Sequence, residues 1–283
     1  MLQRLKNIWN RTLTHKSEVI CIYICQLIFG LLIGCIFYCT INDNLGNSMA
    51  LEHLANGFDR TVIMDMINSN DDVFSSIISW VTILIPIYLI ISILLQGGLL
   101  FNINRGEVGF KSQIKNGTKY LLPFFGIALF SIVLIILFLV VVGLPFRAIV
   151  GDPLTTFSSE KPFVLSLIAL AIGFSIWLVV VWSFSISTRY NYINGASFWK
   201  SINSGFTSVR NHLFELLSIG YLLLGAHLLL AFIYYLIMGD RGAPSWLIVI
   251  FGILVQQLFS FARVFIRGFG YIAVDQVEDK FIG

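Results

Sequence analysis

Residues 120–142 read YLLPFFGIALFSIVLIILFLVVV, a block in which no side chain carries a charge. A helix needs about 20 such residues to cross the hydrocarbon core of a bilayer, since each residue adds roughly 1.5 Å along the axis. A helix that is apolar on every side has to be buried in a large core or in lipid. The block therefore predicts a membrane-spanning helix.

Blocks of similar length and composition lie on both sides of this one. Pro86, Pro123 and Pro145 interrupt or end three of them, and neighbouring helices can satisfy the carbonyl groups that proline leaves unbonded. The predicted fold class is all-α: a polytopic bundle of six transmembrane helices in a single membrane domain, with short amphipathic helices at its surfaces. The predicted spans are residues 19–41, 77–100, 120–142, 163–187, 213–238 and 246–269.

The composition agrees with a membrane protein. Charged residues make up 12% of the chain and hydrophobic residues 57%, whereas soluble domains contain about 25% charged residues. The formal net charge of +3 is too small to indicate nucleic-acid binding, and the cations lie near the ends of the spans.

The lysines and arginines predict the orientation. Of the 18 cations, 14 lie on one side of the predicted topology, and only Arg60, Arg147, Lys161 and Arg241 lie on the other. Cytoplasmic loops are enriched in lysine and arginine. Both chain ends are therefore predicted to be cytoplasmic. The 14 cations on that side are Arg4, Lys6, Arg11, Lys16, Arg105, Lys111, Lys115, Lys119, Arg189, Lys200, Arg210, Arg263, Arg267 and Lys280.

Two segments outside the spans have helical periodicity. In residues 1–18, Leu2, Leu5, Trp9 and Leu13 share one face, which predicts an amphipathic helix in the headgroup layer; a frayed cytoplasmic tail is the alternative. The outer loop, residues 42–75, is predicted to form two short helices, and it is a candidate docking surface for a membrane-protein partner.

A short pattern occurs twice. Phe110-x3-Ile114-x2-Gly117 precedes the third span, and Phe198-x3-Ile202-x2-Gly205 precedes the fifth. Each predicts a short amphipathic cytoplasmic helix that leads into an outgoing span. Spans two and three would then repeat as spans four and five, about an axis along the membrane normal.

Polar residues form one stripe on the sixth span. Gln256, Ser260, Arg263 and Arg267 follow one another at steps of four, three and four residues, so they lie on one face. Polar side chains at membrane depth usually face the bundle interior and mark functional sites. The stripe is a candidate polar path or contact site for lipid headgroups. The alternative is that the amide and hydroxyl bond neighbouring helices while the arginines extend to lipid phosphates.

Three other polar residues are candidates for the interior. His227 lies midway along the fifth span, where a hydrogen-bonded structural role competes with proton relay. Glu215 is a candidate ion-pair partner for Arg263 or Arg267. Gln96, before Gly97-Gly98, marks close helix packing, which Gly30-x3-Gly34 also permits.

The four cysteines lie in the first span and are interpreted as small apolar residues. Leu32-Ile33-Gly34-Cys35 also resembles a lipobox, which would make Cys35 a lipidation site. The apolar run continues beyond Cys35, so the span is expected to be retained. The lipidation of Cys35 stays open.

The sequence contains no motif that identifies a reaction. There is no Walker lysine motif, no His-Glu-x-x-His and no Gly-x-Ser-x-Gly, and no carboxylates are paired at mid-membrane. We assign no catalytic residue, no metal ligand and no cofactor, and an enzymatic role is disfavoured. The expected ligands are membrane lipids rather than nucleic acid.

Three stretches carry a resemblance to known proteins: residues 51–59 (LEHLANGFD), 95–100 (LQGGLL) and 105–107 (RGE). They resemble uncharacterised bacterial six-helix integral membrane proteins. They are also distantly similar to the membrane domain of glycerophosphodiester phosphodiesterases. The resemblance implies a fold and a bacterial cytoplasmic membrane location. No phosphodiesterase catalytic domain is present, so that activity is not implied.

Two functions of different classes follow from the sequence. The first is a non-enzymatic accessory or scaffold protein that acts through its surface helices. The second is a transporter or lipid-handling protein that uses the stripe on the sixth span. The second predicts a cavity between helices that reaches Gln256 and Arg263.

Overall fold

The computed structural model describes residues 2–45, 71–150, 160–238 and 246–282, and these residues form helices joined by short turns. A π-helical segment, Leu139–Gly143, separates α4 from α5. The helices are α1 (Leu2–Thr14), α2 (Lys16–Leu45), α3 (Asp71–Arg105), α4 (Phe110–Phe138), α5 (Leu144–Val150), α6 (Glu160–Ile193), α7 (Phe198–Asn211), α8 (Leu213–Met238) and α9 (Trp246–Ile282).

Six of these elements are long and apolar enough to cross a membrane, which confirms the all-α, multi-pass architecture. They are α2, α3, α4 together with α5, α6, α8 and α9. Several extend beyond the predicted apolar blocks: α6 continues to Ile193, and α9 continues to Ile282. Pro86 and Pro123 lie inside continuous helices rather than at breaks.

The spans form a closed ring. Each contacts the next in the order α2, α3, α4, α6, α8 and α9, and α9 returns to contact α2. The three spans α3, α6 and α9, which run in the same direction, also contact one another. We call the end of the ring that carries α1, the 106–109 turn and α7 the base. The buried residues are concentrated in the base half, for example Phe124, Phe184 and Val274.

The repeated pattern has the same structure at both of its occurrences. A helix begins at Phe110 and at Phe198, each after a four-residue turn that contains a glycine with positive φ (106–109 and 194–197). Gly117 approaches the backbone of α3, and Gly205 approaches Thr188 of α6. One detail differs from the prediction. The segment that begins at Phe110 is continuous with its span, whereas α7 ends at Asn211, just before α8 begins.

Glu18 joins three elements at the base. Its carboxylate accepts hydrogen bonds from the backbone N–H of Gly109 at 2.8 Å, the Asn102 amide at 3.2 Å and the Ser17 hydroxyl at 2.7 Å. His15 Nδ1 lies 3.4 Å away. The side chain of Glu18 is fully buried. A buried carboxylate is tolerated only when its oxygens are bonded in this way, so these contacts position α2 against α3 and α4.

A second chain of hydrogen bonds links the three central spans. The Tyr190 hydroxyl of α6 donates to the Tyr271 carbonyl oxygen of α9 at 3.0 Å, and the Tyr271 hydroxyl donates to Gln96 of α3 at 2.8 Å. Each bond satisfies a polar group that would otherwise be unpaired between apolar helices.

The first helix is docked rather than free in the headgroup layer. Ile8 and Thr12 are buried, and Trp9 contacts Phe265 edge to face. Arg11 donates to Asp275 of α9 at 2.8 Å and to the Ile103 carbonyl of α3 at 3.2 Å. The amphipathic helix is therefore confirmed, but its inner face packs on the protein. Trp9 remains half exposed.

Arg11→Gln is expected to release α1 without unfolding the ring. The change removes the cation that faces Asp275, whose side chain is 2% exposed, while the Arg11 side chain itself is 38% exposed. Solvent screening limits the loss to about 1–2 kcal/mol. Hydrogen exchange should become faster in residues 2–14 and not in α9. Lys6→Gln, at an exposed position of the same helix, is the control. Equal protection in both variants would show that the ion pair does not hold α1.

Candidate functional site

We call three of the interfaces in the ring seams. Each seam joins one of the three central spans, α3, α6 and α9, to the next helix around the ring: α3 to α4, α6 to the α7–α8 pair, and α9 to α2. Two are closed by glycines. A Cβ atom at Gly98 would overlap the Gln113 carbonyl oxygen between α3 and α4. Between α6 and the α7–α8 pair, a Cβ atom at Gly205 or Gly220 would overlap Thr188 or Val179. These seams have no space for a ligand at those points.

The third seam, between α9 and α2, is closed only near the base. There a Cβ at Gly268 would lie 3.2 Å from Val19. Farther from the base, Gly30 and Gly34 of α2 have nothing within 4 Å of an added Cβ. These two glycines permit close packing, but no described helix approaches them closely, and they leave open space beside α2.

A cavity of about 340 Å³ with both polar and apolar lining residues lies in this third seam, and we call it the seam cavity. Tyr23 of α2 donates a hydrogen bond to Gln257 of α9 at 2.8 Å across it. Gln256 and Ser260 of the predicted stripe also line it. The full lining is Tyr23, Gln26, Leu27, Gly30, Leu31, Ile253, Gln256, Gln257 and Ser260.

The two stripe arginines line a neighbouring cavity of about 250 Å³, which we call the arginine cavity. It shares Gln26 and Gly30 with the seam cavity, so the two spaces adjoin. All four stripe residues thus lie around one pair of cavities. The lining of the arginine cavity is Gln26, Phe29, Gly30, Ile33, Tyr88, Arg263 and Arg267.

Arg263 points away from the base. Its guanidinium carbon lies 5.6 Å from the ring centre of Phe259, one helical turn nearer the opposite end. Within the described part of the chain, neither Arg263 nor Arg267 has a carboxylate in ion-pair contact. An arginine at the centre of a span costs about 2.5–3.5 kcal/mol in insertion measurements. Arg263 and Arg267 line one cavity, and the charge of two guanidinium groups favours an anion over a cation there.

The chemistry available here is recognition. Guanidinium groups donate in a planar fork that matches the oxygens of phosphate or carboxylate. The amides of Gln26 and Gln256 can donate to further oxygens or accept from hydroxyl groups. No group of three or more histidine, cysteine or acidic residues that could hold a metal ion occurs in the described ranges.

The other three candidate residues lie elsewhere. Glu215 lies 3.9 Å from His212 and lines a separate cavity at the base, so its predicted ion pair with Arg263 or Arg267 is not among those the structure contains. His227 Nδ1 lies 2.8 Å from the Leu223 carbonyl of its own helix. Gln96 accepts from Tyr271, and it precedes glycines that do pack closely against α4.

Arg189 was assigned by its charge to a cytoplasmic loop, and this was wrong. It lies inside α6, is 8% exposed, and stacks over Phe124 with its guanidinium carbon 5.6 Å from the ring centre. The helix continues past the apolar block because its packing face continues: Ile186, Tyr190 and Ile193 are buried at helical spacing. That spacing was the sequence signal that could have placed Arg189.

The residues that α2 contributes to the cavities were not predicted from the sequence. Tyr23, Gln26 and Gly30 follow at three and four residues, which places them on one face of the helix. No single residue of that face is unusual for a span, and only the partner helix reveals it as a cavity wall. Tyr88 of α3 was missed for the same reason.

Comparison with protein families, with curated proteins and with solved structures finds no match for this chain. The site is therefore interpreted from its own geometry.

Proposed function

We propose that this integral membrane protein is a lipid-handling protein that holds the anionic headgroup of a membrane lipid in the arginine cavity. The observation that carries the proposal is the position of Arg263 and Arg267, which face an intramembrane cavity with no carboxylate in ion-pair contact within the described residues. A phosphate group supplies the missing negative charge. In the orientation predicted by the positive-inside rule, the base is cytoplasmic.

The shape of the adjoining seam favours a lipid over a soluble anion. Leu31 and Ile253 line the seam cavity and are 64% and 51% exposed, so its edge is apolar and open to the side of the bundle. A lipid can place its headgroup among polar residues there while its acyl chains stay in the bilayer.

The accessory or scaffold role gains no comparable support. The surface proposed for partner docking was the outer loop, and its residues 46–70 lie outside the described residues. The amphipathic α1 packs on α9 through Ile8 and Arg11, which leaves less of it available to a partner.

The double variant Arg263→Gln, Arg267→Gln is expected to bind phosphatidylglycerol at least 10-fold more weakly than the unaltered protein. Each charge-assisted hydrogen bond contributes about 1.5–3 kcal/mol, and 1.4 kcal/mol corresponds to a factor of ten in affinity. Binding is measured on the purified protein in neutral detergent by native mass spectrometry, with phosphatidylcholine as the zwitterionic comparison.

Arg147→Gln is the matched control, because it removes the same charge at an exposed position on α5. It should bind phosphatidylglycerol as the unaltered protein does. Equal binding by the double variant would contradict the proposal. Full displacement of the lipid by millimolar inorganic phosphate would instead identify a soluble anion as the ligand.

A further inference from the structure

We propose that the seam between α2 and α9 moves anionic lipids from one leaflet to the other. This inference rests on the proposed function and extends it from binding to transbilayer movement. The proposed activity is lipid translocation, and the proposed substrates are phospholipids with an anionic headgroup.

The depth of the cavities is the first argument. The candidate span of α2 is Lys16–Thr40, so its midpoint is Ile28, and Gln26 and Gly30 lie two residues on either side. Arg263 and Arg267 line the arginine cavity together with Gln26 and Gly30. A lipid bound only for stability keeps its headgroup at the membrane surface, where water solvates it. A headgroup site at mid-bilayer is useful to a lipid that is crossing.

The cross-section of the seam is the second argument. The half-buried Tyr23 and Gln257 form its polar inner side, while its edge is formed by the exposed Gln256, Leu31 and Ile253. A headgroup at mid-bilayer needs hydrogen-bonding partners from the protein, because the hydrocarbon core provides none. The acyl chains need no protein contact. A groove with this cross-section separates the two parts of the lipid.

A second cavity along the seam is the third argument. On the base side of the seam cavity lies an apolar cavity of about 470 Å³, lined by Lys16, Ile20 and Phe261 among others. The two cavities share no lining residue, and the Tyr23–Gln257 hydrogen bond crosses the seam between them. A crossing headgroup therefore requires this hydrogen bond to open. Lys16 places a cation at the base end, where a headgroup would enter or leave.

Open space beside α2, on the side of the seam cavity away from the base, is the fourth argument. Gly34 is one helical turn beyond Gly30, and a Cβ on either residue meets nothing within 4 Å. Gly98 and Gly220 of the other two seams are in close contact with the neighbouring helix, although Gly225 of α8 also meets nothing within 4 Å. The α2–α9 seam differs in that its open Gly30 lines both the seam cavity and the arginine cavity.

The test reconstitutes the full chain into phosphatidylcholine vesicles that contain a fluorescent phosphatidylglycerol. Dithionite, which does not cross the bilayer, reduces the label only in the outer leaflet. We expect the unaltered protein to expose the inner-leaflet label as well. Gln256→Leu with Ser260→Ala, which removes two polar groups that line the seam cavity, should slow this phase at least 10-fold. Gln3→Leu, at an exposed position of α1, should match the unaltered protein.

A second variant fills the space itself. Gly30→Phe adds a ring where no atom lies within 4 Å of a Cβ, so we expect the fold to be retained and the ring to obstruct the seam. Transfer by this variant at the unaltered rate would overturn the inference. Protection of the inner-leaflet label by a protein that still binds phosphatidylglycerol would also overturn it, and would leave the proposed function standing. Loss of binding specificity for the anionic lipid would instead refute the proposed function.

Discussion

Glu18→Ala is expected to lower the free energy of unfolding by about 3–5 kcal/mol. The change removes the acceptor for the Gly109 N–H and for the amide of Asn102, and both partners lie at the junction of α2, α3 and α4. Each buried donor left without a partner costs about 1–3 kcal/mol, and truncation of the side chain adds a cavity. The loss is measured by chemical or thermal unfolding in one detergent, followed by the fluorescence of the tryptophans.

Two variants separate the bonding from the size of the side chain. Glu18→Gln keeps the volume and one acceptor oxygen, so it should lose clearly less stability than Glu18→Ala. Glu107→Ala removes a carboxylate that bonds Ser112 at an exposed position, and a change within about 0.5 kcal/mol is expected. A loss at Glu18 no larger than the loss at Glu107 would show that the buried carboxylate does not hold α2 in place.

Gly98→Ala and Gly34→Ala are expected to change stability in opposite directions. At Gly98 the new methyl group would overlap a backbone oxygen of α4, which cannot rotate away as a flexible side chain could. The two helices must separate, at a cost of about 2–3 kcal/mol. At Gly34 the methyl group meets nothing within 4 Å. Alanine there should stabilise the helix by up to about 1 kcal/mol, because it is the better helix former.

The pair of variants tests the asymmetry of the ring. Unfolding midpoints in detergent, with size-exclusion profiles to show that both proteins are monodisperse, provide the comparison. A similar loss at the two positions would mean that the α2–α9 seam is as tightly packed as the α3–α4 seam. That result would remove the space on which the translocation proposal depends.

The two proposals concern the cavities of the α2–α9 seam, whereas the prediction at Glu18 concerns the base. The base is held by buried polar contacts such as those of Glu18 and Tyr271, and by the core around Phe124 and Phe184. The cavities lie farther from the base, where few described residues are buried. The translocation proposal requires α2 and α9 to separate locally on the side away from the base while the base stays packed.

The stripe on the sixth span shows what a sequence can predict about a membrane site. Spacing alone placed Gln256, Ser260, Arg263 and Arg267 on one face, and their polarity identified that face as a candidate site. Each of the four lines one of the two adjoining cavities. Helical periodicity was sufficient because all four belong to one rigid helix. The opposite wall was not predicted, since Tyr23 and Gln26 are 230 or more positions away in the chain.

Arg189 and Gly30 show where the sequence was misleading. A charge at the end of an apolar block indicates a loop. The helix α6 nevertheless continues to Ile193, because its last turns pack on neighbouring helices. Two glycines four residues apart indicate close packing, yet whether a neighbour approaches depends on the position of the next helix. Neither question is decided by local residues.

The sequence by itself determined that this chain is helical, how many helices can cross a membrane, and which of their faces are polar. Those properties follow from hydrophobicity and helical periodicity, which are local properties of each segment. Only the tertiary structure decided which helices adjoin, where α1 docks and which of three similar seams contains space. Those properties depend on contacts between residues far apart in the chain, where a single methyl group determines whether two helices touch.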